Sequence, residues 1–267
     1  MRRLIRFPCA GSMLSGSLDE GARSVGLLCV TGGSQVRSGP HRMLHQLAVR
    51  VAEAGFPVFR YERRGLGDSD GEDPGYRGSS PDLAAAASAF RAQAPHVHTP
   101  VGFGLCDGAT TLALHGRAAG IHALILANPW LVETGPEELA PAAAKAHYRG
   151  RFLSPKAWMS VFTGKVDVFG AARSLLGAAI RSDTSSLSDE VADKLAPYAK
   201  KLTLILSERD GTAIAAQACW KGPAFDRVRS DQVISVATDA HTFAREGDHE
   251  RLVEAVIEFL QRMSNES

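Results

Sequence analysis

Short apolar runs recur along the chain at residues 25–30, 57–61, 100–104, 123–127, 202–206 and 233–236, with helical stretches between them. None alternates apolar with polar positions, which is the pattern of strands covered on both faces. Between the first two runs, Met43, Leu44, Leu47, Ala48 and Val51 fall at helical spacing, and Gly55 supplies the stop. Ser80-Pro81-Asp82 opens an alanine-rich helix through Ala92, with Ser80 placed as the cap and Pro81 at the first helical position. Leu252, Val253, Val256, Phe259, Leu260 and Met263 form one face of a last helix. Parallel neighbours need crossover connections, so strands that alternate with helices predict an α/β fold with a mostly parallel, doubly wound sheet. Two early segments, 4–7 and 13–17, are expected to add antiparallel edge strands, for about eight strands in all.

The rhythm breaks once. No strand pattern appears from 129 to 181, where Trp130, Tyr148, Phe152, Trp158 and Phe162 are scattered among basic residues. The expected organisation is therefore a core of residues 1–128 and 182–267 with a helical cap insertion at 129–181. Insertions at the carboxyl ends of parallel strands are where such folds build ligand sites, although a purely structural helical pair fits the same composition.

Composition narrows the function. The 267 residues are 45% hydrophobic and 22% charged, enough for a self-sufficient core. A formal net charge of +1 provides no bulk field for nucleic acid or an acidic membrane, which leaves a small-molecule partner as the default. Four widely spaced cysteines, Cys9, Cys29, Cys106 and Cys219, form no C-x-x-C pair, so reduced thiols and a cytoplasmic location are expected. The basic start is cut by Arg6 and Pro8 before a secretory apolar region can form, and no stretch has the length of a membrane span.

The chemistry centres on Val101-Gly102-Phe103-Gly104-Leu105-Cys106-Asp107-Gly108-Ala109, an apolar strand followed by G-x-C-x-G and a helix. This is the context of a nucleophile elbow, with cysteine where serine is commoner. The apex residue takes a strained conformation, and its neighbours two before and two after must be small so that strand and helix can approach. Gly104 and Gly108 meet that demand. At a helix N-terminus the Cys106 thiolate is favoured, and the Asp107 N–H offers one oxyanion donor. The bland alternative is a buried, inert cysteine in a glycine-flanked turn.

Gly67-Asp68-Ser69-Asp70-Gly71 matches G-x-S-x-G letter for letter, but the preceding strand ends too early and turn formers follow instead of a helix. Ser69 is therefore read as a loop residue. A thiol nucleophile needs a base and a group that orients it. Asp210 follows the run at 202–206 and His241 follows the run at 233–236, so both fall on the sheet edge where Cys106 lies. Glu208 and Asp239 are rival acids. Asn128 is set aside because a neutral amide does not stabilise imidazolium. The second oxyanion donor is expected from Thr31-Gly32-Gly33-Ser34, as the N–H of Ser34. That loop lacks the phosphate-binding glycine patterns, and no cofactor is expected. Arg37, His41 and Arg42 either contact an anionic substrate or face solvent. His41 and His45 lack a third ligand, so no metal site is expected.

With these residues in place, the chain resembles the α/β-hydrolase superfamily along nearly its whole length. Glu62-Arg63-Arg64-Gly65-Leu66-Gly67-Asp68-Ser69 is similar to that superfamily's D-x-R-G-x-G-x-S segment, with Glu62 at the Asp position. The residues from Gly32 to Arg42, Gly104-Leu105-Cys106-Asp107, Asn128-Pro129-Trp130 and Gly164-Lys165-Val166-Asp167 resemble the hydrolase 1 family associated with the exosortase A system of exopolysaccharide-producing bacteria. Within those segments, Gln35 and Trp130 are the residues expected to contact substrate. Dienelactone hydrolases also place cysteine in the elbow, but Gly33 stands where they carry an additional glutamate. The resemblance implies an α/β-hydrolase fold and an ester or thioester hydrolase acting on a small acyl substrate through Cys106, Asp210 and His241. An acyltransferase to a sugar or lipid acceptor, or a non-catalytic binding protein on the same scaffold, are the alternatives.

Overall fold

The computed structural model describes residues 1–133, 185–229, 232–245 and 247–266. The strands are β1 Arg2–Cys9, β2 Ser12–Asp19, β3 Val25–Val30, β4 Val58–Tyr61, β5 Thr99–Leu105, β6 Ala123–Ala127, β7 Leu202–Ser207 and β8 Val233–Val236. The helices are α1 Met43–Glu53, α2 Gly75–Gly78, α3 Ser80–Gln93, α4 Asp107–His115, α5 Ser185–Leu195, α6 Gly211–Trp220 and α7 Asp248–Glu266. The strands form one eight-stranded sheet in the order β1-β2-β4-β3-β5-β6-β7-β8. β1 and β2 pair antiparallel, β2 joins β4 antiparallel, and every pairing from β4 through β8 is parallel. The expected α/β class, strand number and antiparallel edge are thus observed.

Every residue of β3, β4, β5, β6 and β7 is buried. This is why their sequences are continuous apolar runs: both faces are covered by helices, so neither face needs polar side chains. β8 departs from this pattern, with Val233 and Ser235 exposed, because it is an edge strand with one neighbour. On one face α1 and α7 pack their apolar stripes on the sheet. Leu44, Leu47 and Val51 meet Leu252, Val256 and Leu260 in a cluster that also contains Leu27, Val101 and Ile125.

The start of α3 is a correction. The N-cap is Ser79, not Ser80, and it makes no capping hydrogen bond. The Ser79 hydroxyl instead donates to the Gly75 carbonyl at 2.5 Å, tying the helix start to the short turn of α2.

The chain divides into two compact units, Met1–Leu131 with Asp189–Ser267, and Val132–Ser188. The cap expected at 129–181 lies, from residue 134 onward, outside the described residues. Among the described residues no helix is long and apolar enough to cross a membrane.

Because β3, β5, β6, β7 and β8 are parallel and in register, their carboxyl ends lie along one sheet edge. Val30 pairs with Gly104, Leu105 with Ala127, and Ser207 with Val236. The residues that follow these ends, Thr31, Cys106, Asn128, Glu208 and Ala237, start the loops that carry the site.

Candidate active site

Cys106 stands between β5 and α4 with φ 57° and ψ −125°, a strained backbone for a residue with a side chain. The flanking glycines make this bend possible. A Cβ on Gly104 would come within 2.6 Å of the Ala109 nitrogen, and one on Gly108 within 2.6 Å of the Val30 carbonyl oxygen. The strand, the helix and the β3 loop therefore close on the bend only with glycine at both places. The bend is fastened by main-chain bonds, with the Cys106 N–H donating to the Ala127 carbonyl at 3.0 Å and its carbonyl accepting from Ala109 at 3.1 Å and Trp130 at 3.3 Å. The side chain is half-buried and its thiol is free.

Asp210 caps α6, with its Oδ2 accepting the Ala213 N–H at 2.9 Å. The same oxygen lies 2.9 Å from His241 Nδ1. The imidazole of His241 also interacts with the Cys106 side chain, whose influence adds to that of Asp210. Burial pulls the His241 imidazole toward the neutral form. The hydrogen bonds to Asp210 and Cys106, together with their negative charge, outweigh burial and push it up to about 9. The loop bearing His241 is anchored by Phe243, which is fully buried and joins the same apolar cluster as β3 and β5.

The rival acids are elsewhere. Glu208 is exposed, and Asp239 is exposed and paired with Arg245 at 2.5 Å. Ser69 is also excluded as a nucleophile by its surroundings. It is buried, with its hydroxyl donating to the Glu62 carbonyl at 2.7 Å and accepting the Ser15 N–H at 2.9 Å.

The loop after β3 lies directly against the elbow. A Cβ on Gly32 would fall 3.0 Å from that of Cys106, and Gly33 has φ 57°. The Gly33 N–H donates to the Asp107 carboxylate, so it is not available to an oxyanion. The next N–H, that of Ser34, has no acceptor among the described residues. Asp107 is itself nearly buried; burial raises its carboxyl above the ordinary aspartate range, while Arg63 and the N–H groups of Gly33 and Gly108 pull it back. The Arg63 guanidinium donates to the Gly33 carbonyl at 3.0 Å, ion-pairs Asp73 at 2.7 Å and approaches the Asp107 carboxylate at 3.8 Å.

Sequence reasoning missed this support. Arg37 does not face solvent or a substrate. Its guanidinium bonds the buried Glu62 carboxylate at 2.6 Å, Asp68 at 2.8 Å and Ser17 at 3.1 Å. Glu62 also accepts the N–H groups of Arg37 at 3.0 Å and Asp68 at 2.9 Å, so one carboxylate holds the β3 loop to the β4 loop. His41 and Arg42 are exposed. His45 sits between the guanidinium groups of Arg2 and Arg42, at 3.0 and 3.2 Å, electropositive surroundings unsuited to a cation.

Of the two residues expected to contact substrate, Trp130 is brought to the elbow by its main chain, and its carbonyl accepts the Thr110 hydroxyl at 2.5 Å. Gln35 follows Ser34 in the β3 loop, and its buried side-chain oxygen has no hydrogen-bond partner among the described residues.

No family model matches the chain, and no curated protein matches it. Solved structures do. An esterase from Pyrococcus furiosus is similar at 19% identity and a TM-score of 0.65, covering 98% of this chain and 92% of its own. A lidless α/β serine hydrolase from Xanthomonas campestris is similar at 17% identity and 0.62, covering 98% and 94%. A dienelactone hydrolase from Anabaena variabilis is similar at 13% identity and 0.62, covering 98% and 97%. With the strand order and the bend at Cys106, these likenesses identify the architecture of this chain as the α/β-hydrolase fold.

Proposed function

We propose that the protein is a cysteine-dependent hydrolase of a small ester or thioester. The observation that carries this reading is an imidazole, His241, that pairs with Asp210 at 2.9 Å and interacts with Cys106 at the strained end of β5. The esterase and the dienelactone hydrolase among the similar solved structures support the reaction class.

In this reading the Cys106 thiolate attacks the acyl carbonyl while His241, protonated and oriented by Asp210, waits beside it. The N–H groups of Ser34 and Asp107 receive the oxyanion, each such donor contributing roughly 3 kcal/mol to the transition state. Collapse breaks the bond to the leaving group, which departs with the His241 proton and leaves a thioester on Cys106. Neutral His241 then takes a proton from water as its oxygen attacks the thioester. The acid leaves, the thiolate is regenerated and His241 is again protonated. Gln35 and Trp130 flank the acyl position. The resemblance of the residues from Gly32 to Arg42 to the exosortase-associated hydrolases supports a role in exopolysaccharide assembly.

Intact-mass measurement after exposure to a panel of activated acyl esters tests this. The expected result is a single acyl adduct on the native protein and none on Cys106→Ala. An adduct that persists in the variant removes Cys106 from the mechanism.

A further inference from the structure

Asn128 is fully buried at the end of β6 and has φ 42°, a left-handed conformation that asparagine tolerates better than most residues. All of its side-chain bonding is directed at the site's framework. Its Nδ2 donates to the Ser207 hydroxyl at 2.9 Å and to the main-chain carbonyl of His241 at 2.8 Å, while its Oδ1 accepts the Ser207 N–H at 2.8 Å. The Ser207 hydroxyl passes the chain on to the carbonyl of Ala240 at 3.1 Å. The carbonyls of both Ala240 and His241 are therefore fixed by one buried amide and the serine it holds.

The same turn grips the nucleophile. Ala127 accepts the Cys106 N–H at 3.0 Å, and the Trp130 N–H donates to the Cys106 carbonyl at 3.3 Å. Residues 127–130 thus bond the main chain of Cys106 on one side and, through Asn128, the main chain of His241 on the other. Asn128 is the residue of this turn whose side chain bonds the main chain of His241 directly, while Ser207 carries a second link to Ala240.

We propose that Asn128 is a positioning residue that sets the approach of the His241 imidazole to Cys106, with Ser207 as its relay. This rests on the reading of Cys106, His241 and Asp210 given above and adds to it a requirement for a neutral amide. Aspartate at this position would still accept the Ser207 N–H, but it would set a carboxylate against the His241 carbonyl, with no proton to donate. A purely apolar replacement would leave the His241 carbonyl and the Ser207 hydroxyl short of a donor and the Ser207 N–H short of an acceptor. In both cases the His241 loop relaxes away from the elbow, and the imidazole loses the two negative partners that hold its proton.

The test is an NMR titration of the His241 ring in the whole protein, alongside kcat and KM with 4-nitrophenyl acetate, for the native chain, Asn128→Ala, Asn128→Asp and Ser207→Ala. The expected native midpoint is about 9, falling toward the ordinary 6.5 in both Asn128 variants and by less in Ser207→Ala. kcat is expected to drop about 100-fold in the Asn128 variants, the scale of a misplaced catalytic group, with KM nearly unchanged. A loss of stability alone would not move the midpoint of the folded fraction. If Asn128→Ala does not fold, the midpoints of Asn128→Asp and Ser207→Ala decide the question. A raised native midpoint that stays raised in every folded variant overturns the role of Asn128 alone. A native midpoint near 6.5 overturns the contact of His241 with Cys106 and Asp210 on which the proposal rests.

Discussion

The carboxylate of Asp107 accepts the N–H of Gly33, joining the residue that follows the elbow cysteine to the loop that follows β3. With the Gly33 N–H consumed inside the protein, the next N–H of the loop is that of Ser34, the one the proposed mechanism assigns to the oxyanion. In that proposed mechanism Asp107 has two separate assignments: its main-chain N–H as a donor, and its side chain as the tether of the loop that carries the other donor.

Asp107→Ala keeps the main-chain donor and removes the tether. It also leaves the buried Arg63 guanidinium facing Gly33 without the Asp107 carboxylate. The expected result is a kcat lower by about 100-fold with little change in KM, since an oxyanion contact is realised mainly in the transition state. Steady-state rates with 4-nitrophenyl acetate check it, and an unchanged kcat would detach the loop from the reaction.

Ser69→Ala separates pattern from structure. The Ser69 hydroxyl is committed to the Glu62 carbonyl and the Ser15 N–H, so its loss leaves two buried main-chain groups unpaired. A stability loss of about 1–3 kcal/mol is expected in chemical denaturation. Acyl-adduct formation on Cys106 should be retained in full. A variant that folds normally yet forms no adduct would return Ser69 to candidacy as the nucleophile.

Much of this architecture is readable in the sequence for one physical reason. Strands β3 to β7 are covered on both faces, so their apolar runs stand out, and parallel register then carries the residues after Leu105, Ser207 and Val236 to a single edge. What spacing does not show is how distant polar residues meet. Arg37 and Glu62 are 25 positions apart, and nothing local distinguishes this arginine from an exposed one. In the sequence Asn128 invites comparison only with an acid, which is a question about charge; its work is hydrogen bonding between three strand ends. The signal for that work is an asparagine directly after a buried strand, where the chain must turn and where a side chain that both donates and accepts is needed. The cap of α3 lies one residue before the serine that the pattern favours because Ser79 spends its hydroxyl on Gly75, a contact decided by the preceding turn.

Glu62 links the β3 and β4 loops through a carboxylate that is 2% exposed. Glu62→Ala deletes the acceptor for the Arg37 guanidinium and for two main-chain N–H groups, leaving a charge partly buried without its closest partner. A cost of about 3–5 kcal/mol is expected, the range for breaking a buried pair from one side. Glu62→Asp shortens the side chain by one methylene and should fall between the two. Urea denaturation of the three proteins checks the order, and equal stability of native protein and Glu62→Ala would show that the carboxylate holds nothing.

His241 gives a pH dependence whose sign is fixed. Its imidazole is raised from 6.5 to about 9 in the folded protein, so the folded state binds this proton more tightly than the unfolded chain does. The resulting stability is complete below about pH 6.5, where the ring is protonated in both states, and it disappears as pH rises through about 9, where the folded ring loses its proton. His241→Gln lacks this contribution at every pH. The melting-temperature gap between native protein and His241→Gln should therefore be constant in mildly acidic solution, narrow steadily from about pH 7 upward, and reach its residual packing value by about pH 10. A gap that widens toward alkaline pH would mean that the fold holds the ring neutral, which would leave Cys106 facing a base without the proton that the leaving group requires.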